Sequence, residues 1–166
     1  MSMNGEYLRV TPAELDRALK DPEWAHGLAE EAMDAAQEHE RVPSDARHFT
    51  TEQTWHLLDF LLRRATFPVD IVHGEEPLPE AEDWGYDPPG YLPPARVQAA
   101  AEALRELPYD RLIRNVDPSE LTRAEVYPLI WDSPDSLEWA RDVFLDLTAF
   151  LGAAAEAGDG MLLWID

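Results

Sequence analysis

Residues 52–63, EQTWHLLDFLLR, set one histidine and one aspartate three positions apart in an otherwise apolar stretch. An imidazole beside a carboxylate is a candidate acid–base pair, because His exchanges protons near neutral pH. Drawn as a helix at about 100° per residue, Trp55, Leu57, Leu58, Leu61 and Leu62 form a broad apolar arc, with Phe60 at its margin. Glu52, His56, Asp59 and Arg63 fall within about 60° on the opposite side. Glu52–His56 and Asp59–Arg63 are each four apart, the spacing at which opposite charges support a helix. The stripe is then either a solvated seam of ion pairs or one wall of a cleft. Proton transfer by His56 requires a substrate pocket over it.

A second group lies in Glu125–Asp132, EVYPLIWD, where Tyr127, Trp131 and two carboxylates surround Pro128. Polar tips there can face a groove while the rings pack below; alternatively both aromatics belong to the core and Glu125 caps a helix or pairs with an Arg. The catalytic candidates are therefore His56, Asp59, Glu125 and Tyr127, provided that they converge. A third possibility is the 74–94 segment, with six Pro, six acids, three aromatics and no Lys or Arg. Exposed Trp84, Tyr86 and Tyr91 among carboxylates suit a basic protein surface, and Trp131 and Asp132 extend the set of partner-binding candidates. Otherwise Trp84 and Tyr91 anchor a packed loop.

Metal and cofactor signals are weak. Asp45-x-x-His48, Asp70-x-x-His73 and His73-Gly-Glu75-Glu76 contain possible ligands, but none has the spacing of a strong zinc motif. No metal and no cofactor is expected. There is no G-x-G-x-x-G, Walker or G-x-S-x-G sequence, so nucleotide binding and a nucleophile elbow lack their usual context. Cysteine is absent, which excludes disulfides and thiolate chemistry and fits a reducing cytoplasm. The start, MSMNGEYLRV, has no basic segment followed by an apolar one, and predicts no secretion signal. No apolar run reaches the roughly 18–20 residues of a membrane span. Thirty-four acids against thirteen bases give a net charge of −21. That disfavours direct nucleic-acid binding, which draws its affinity from cations, and favours encounter with a basic partner.

The elements that must position these groups can be read from caps and periodicity. Glu6–Val10 alternates as a half-buried strand. Thr11-Pro12-Ala13-Glu14 is a capping box with Pro at the first helical position, and Asp21-Pro22-Glu23 opens a longer helix to about Gln37. The polar 38–48 stretch reads as a loop, with Thr50 or Thr51 capping the tryptophan helix to about Arg64. Pro68–Val72 could form a short strand, and 74–94 is one long acidic Pro-rich loop, of a kind that is usually functional or disordered. Helices follow at Pro94–Leu107, at Tyr109–Asn115 and after Asp117-Pro118. Pro128 forbids a helix through 124–132. Ser133-Pro134 opens the last helix, Gly158 ends it, and Met161–Ile165 is a near-continuous apolar run, as in a buried strand. The expected fold class is α+β: one helix-rich domain over 1–166. Five to seven helices would pack on a small, mainly antiparallel sheet of two or three strands that includes both terminal ones.

The opening Met-Ser-Met-Asn-Gly, the Trp55-x-x-Leu58-x-Phe60-x-Leu62 helix and Glu125-Val126-Tyr127-Pro128 occur in the same order in the YfbM-like family of bacterial proteins, which this chain resembles. The resemblance runs over most of the chain and implies an α+β fold and a bacterial cytoplasmic setting, but no reaction. Family members commonly carry His immediately before the Phe of the tryptophan helix, where this sequence has Asp59. The resemblance therefore gives His56 no catalytic role. The favoured expectation is a non-catalytic acidic binding module for a basic protein partner, for instance a toxin-neutralising immunity protein. The alternative is a small enzyme acting on a small polar substrate through a carboxylate/Tyr/His cleft.

Overall fold

A computed structural model of the protein describes residues 2–166. The outer ends of the chain form the middle of the molecule. Strand β1 (Gly5–Val10) pairs antiparallel with β5 (Gly160–Ile165) along all six residues, from Gly5 opposite Ile165 to Val10 opposite Gly160. Strand β2 (His48–Glu52) adds to the free side of β1. On the other side β4 (Gly90–Leu92) pairs with β5, and the two-residue β3 (Glu76–Pro77) with β4. The order is β2-β1-β5-β4-β3, all antiparallel.

Among the described residues seven helices enclose this sheet on both faces: α1 (Pro12–Lys20), α2 (Pro22–Glu38), α3 (Trp55–Arg64), α4 (Pro94–Arg105), α5 (Tyr109–Leu112), α6 (Pro118–Arg123) and α7 (Pro134–Ala157). Alternation along the strands separates two cores. Tyr7, Met161 and Leu163 face the larger one, built from α3–α7 and including Leu57, Leu58, Phe144 and Phe150. Leu8, Val10, Leu162 and Trp164 face the smaller one, closed by α1, α2, Leu78 and Trp84. Cover on both sides explains the unbroken apolar run of β5.

Helix starts follow the sequence closely. At α1 the Glu14 amide donates to the Thr11 hydroxyl at 3.2 Å, and the Thr11 amide donates to the Glu14 carboxylate at 2.9 Å. Asp21 accepts from the Trp24 amide at 3.1 Å to start α2. Gly158 ends α7 in the left-handed conformation, φ +76°.

Four expectations need correction. The sheet has five strands rather than two or three. Two of the additional strands, β3 and β4, lie inside the stretch read as one long loop; three-residue β4 owes its conformation to pairing with β5, about seventy residues away in sequence. The third, β2, occupies the residues expected to cap the tryptophan helix, which begins later, after Thr54. Pro68–Val72 is turn rather than strand, because the Asp70 carboxylate accepts from the Val72 and His73 amides at 3.1 and 2.9 Å and bends the backbone. Its Val69, Ile71 and Val72 are nonetheless buried.

Candidate functional site

The turn before α3 sets the first candidate site. The Thr54 hydroxyl donates to the Thr51 carbonyl at 2.7 Å, and Trp55 and His56 leave this turn beside the chain start and the 125–131 segment. There the Trp55 indole donates to the Met3 carbonyl at 3.0 Å, and the Met3 amide donates to the Tyr127 hydroxyl at 2.9 Å. The Tyr127 amide donates to His56 Nδ1 at 2.8 Å, and the Trp131 indole donates to the Tyr127 carbonyl at 2.9 Å. His56 stacks on Trp55, with ring centroids 5.1 Å apart and planes at 15°. One turn on, both Asp59 oxygens accept from Arg63 Nε at 2.9 Å; His73 Nε2 stands 3.9 Å from Asp59, and Arg63 reaches Asp70 at 3.6 Å.

His56 and Tyr127 are thus brought together, with Asp59 a turn away. The Asp59–Arg63 pair forms as its spacing implies. Glu52 does not join the stripe: it ends β2 at φ +53°, outside the helix. Glu125 is exposed at φ +52°, and no hydrogen bond to its side chain exists among the described residues. The chemistry available to His56 is narrow. Because Nδ1 accepts from a backbone amide, the neutral ring carries its proton on Nε2 and acts there as a donor. Burial lowers its pKa; the Asp59 charge opposes this and His73 adds to it. None of the four catalytic candidates lines the groove of about 540 Å³ between α2 and α7. Asp59 alone borders a small cleft of about 110 Å³ beside Arg63 and Asp70.

The partner candidates divide by burial. Trp84 is 7% exposed, packed edge-on to Trp164 at 5.3 Å and against His26 at 5.1 Å; Trp131 is 2% exposed and stacks on Trp139 at 5.8 Å. Both rings serve the interior. Tyr91 is half-buried, while Tyr86, 42% exposed, and Asp132 face outward. Beside Asp132, Leu129 and Ile130 are exposed.

Trp84 against His26 places the 78–87 segment next to the first half of α2. Glu31, Asp34 and Glu38 on α2, with Glu80, Glu82, Asp83 and Asp87 on the segment, are all exposed and have no ion pair among the described residues. These carboxylates were visible only as composition; the spacing of acids on α2 gave no hint of its neighbour. A buried pair was also missed: His48 Nε2 lies 2.7 Å from the Glu6 carboxylate. Burial raises the Glu6 pKa, with the Asp166 charge adding and His48 opposing. The alternation that turns Leu8 and Val10 inward also turns Glu6 inward, so this signal was present in the sequence. Among the described residues no group of three His, Asp or Glu side chains is placed to hold a metal ion, and no helix is long and apolar enough to cross a membrane.

Fold and surfaces together define a helix-rich α+β domain with exposed, unpaired carboxylates on α2 and on the 78–87 segment. The chain belongs to the family described as "Domain of unknown function (DUF1877)", whose model matches residues 1–164. It is similar over 100% of both chains to the crystal structure of YfbM, a protein of unknown function from Escherichia coli, at 20% identity and a TM-score of 0.64. At that identity the likeness is one of fold. The resemblance carried by the Trp55 helix and the Glu125–Pro128 segment is the correct one. No curated protein matches the chain.

Proposed function

We propose that the protein is a non-catalytic binding module for a basic protein partner in the bacterial cytoplasm, and that it docks through the layer formed by α2 and the 78–87 segment around Tyr86. Neutralising a basic toxin is one concrete form of this activity. The observation that carries the reading is the absence of compensation: seven exposed carboxylates on adjoining elements have no ion pair among the described residues. Like charges gathered this way repel one another, and a cationic surface relieves that repulsion while being steered to its site. Tyr86, exposed on the 78–87 segment, adds a ring over which a partner Arg or Lys can sit.

The test is affinity capture from the source cells at about 50 mM salt, where screening is weaker than at physiological ionic strength. The expected result is a stoichiometric basic partner, released by about 0.5 M NaCl and lost from the Asp34→Lys/Glu38→Lys and Tyr86→Ala variants. A partner retained by the charge-reversed variant, or no partner at all at low salt, refutes the reading.

A further inference from the structure

The groove between α2 and α7 has a strand edge for its floor. We propose that it accepts an extended cationic segment of the partner, which adds to the sheet antiparallel to β2; this inference rests on the reading above and specifies how such a partner would bind.

The backbone pattern fixes which groups are offered. The Asn4 and Asp166 amides and carbonyls exchange hydrogen bonds at 2.8 and 3.0 Å, and the Arg9 amide donates to the Arg47 carbonyl at 2.9 Å. Along β1, residues 4, 6, 8 and 10 therefore bond toward β5, and residues 7 and 9 toward β2. Since directly opposed residues in an antiparallel pair alternate between bonded and unbonded, Phe49, opposite Tyr7, turns its amide and carbonyl to β1. His48, opposite Leu8, and Thr50, opposite Glu6, turn theirs outward. Among the described residues neither outward amide nor outward carbonyl has a hydrogen-bond partner, and both residues line the groove. An unpaired edge of this kind is a template for a further strand.

Side-chain positions define what that strand contains. His48 and Thr50 point to the α2 side, where Ala32, Ala35 and Ala36 leave a shallow apolar wall. Phe49 points to the α7 side, stacked on Phe150 at 5.3 Å, with Asp146 one turn away. A strand laid here turns one set of alternate residues onto alanines, which suits Val or Leu, and the other set toward Asp146, which suits Lys or Arg. The rim carries Glu31 on α2 and Glu40 just beyond its end. Of the two arginines at the mouth, Arg47 is held by Glu14 at 2.6 Å and by the Arg9 carbonyl at 3.1 Å, whereas Arg41, next to Glu40 in sequence, has no ion pair among the described residues. A second copy of this chain, itself at −21, is repelled from the site.

The probe is the acetylated, amidated decapeptide of five Val-Lys repeats, titrated into the full chain at low salt and followed by amide shifts in ¹⁵N NMR. Saturable shifts centred on the His48 and Thr50 amides are expected. In the antiparallel alignment the Val amides face β2 and the Lys amides face solvent, so N-methylation of the Val residues weakens binding about tenfold or more while N-methylation of the Lys residues does not. Ala36→Arg, an exposed helix position, fills the groove with a like charge and abolishes binding without lowering the melting temperature. Equal binding of the two methylated peptides, unshifted His48 and Thr50 amides, or full binding to Ala36→Arg overturns the strand site. The wider reading fails on a different result, retention of the captured partner by Asp34→Lys/Glu38→Lys.

Discussion

His56 shows how a residue type that could do chemistry is used instead as a strut. Its Nδ1 accepts the Tyr127 amide at 2.8 Å, and protonation there would set one N–H against another. Burial acts in the same direction and lowers the pKa below the ordinary 6.5. In the pH interval between that lowered value and 6.5, the unfolded chain binds a proton that the folded chain does not. Stability contributed by this residue is therefore fully present above 6.5 and declines as pH falls through that interval. Urea unfolding at pH 7.5, 6.5 and 5.5 should show a wild-type decline that His56→Asn, which keeps an acceptor near the Nδ1 position, lacks. His56→Ala should cost about 1 kcal/mol at pH 7.5, as expected when a hydrogen bond to a part-buried amide is removed. A decline of equal size in His56→Asn assigns the pH dependence to other groups.

At the scale of elements, two glycines separate conformational from steric demand. Gly158 caps α7 at φ +76°, and an added Cβ would meet nothing within 4 Å. Gly158→Ala then costs only the left-handed penalty, about 1 kcal/mol, or about 3 °C in melting temperature. A Cβ on Gly90 would run into the His73 carbonyl oxygen, fixed backbone on the neighbouring turn. Gly90→Ala should cost about 2–3 kcal/mol, as overpacking does, because β4 must move off its neighbours. Thermal melts of the two variants check the order, and equal losses refute it. Such demands also decide what the sequence discloses. Thr11 with Glu14, Asp21-Pro22 and Ser133-Pro134 act within a few residues, so the starts of α1, α2 and α7 were legible; so was the Asp59–Arg63 pair. Strand β2, HFTTE, lies at an edge, carries polar residues on one face and resembles a helix cap. The His56 contact joins residues 71 apart through a backbone amide, which no side-chain pattern encodes.

The whole molecule carries its charge unevenly, and that has an energetic consequence. Ion pairs such as Arg9–Asp159 and Glu75–Arg96 tie acids elsewhere on the fold, whereas α2 has no basic residue in its last turn and keeps Asp34 and Glu38 uncompensated among the described residues. Carboxylates near a helix C-terminus oppose its dipole, and Asp34 and Glu38 stand at the four-residue spacing where like charges repel. Reversal of both, Asp34→Lys/Glu38→Lys, exchanges a carboxylate pair for an ammonium pair at the same spacing, but it lowers the negative charge of the layer, places a cation in the last turn and gives Glu30 a partner four residues on. The expected gain is about 1 kcal/mol, or about 3 °C in melting temperature at low salt, shrinking as NaCl screens the field. The same variant is the one expected to lose its partner. A melting temperature that rises while binding disappears means that this layer is retained against the stability of the fold, as a surface selected for an encounter would be. An unchanged or lower melting temperature at low salt means that the carboxylates cost the fold nothing, and removes the physical reason for regarding them as a binding surface.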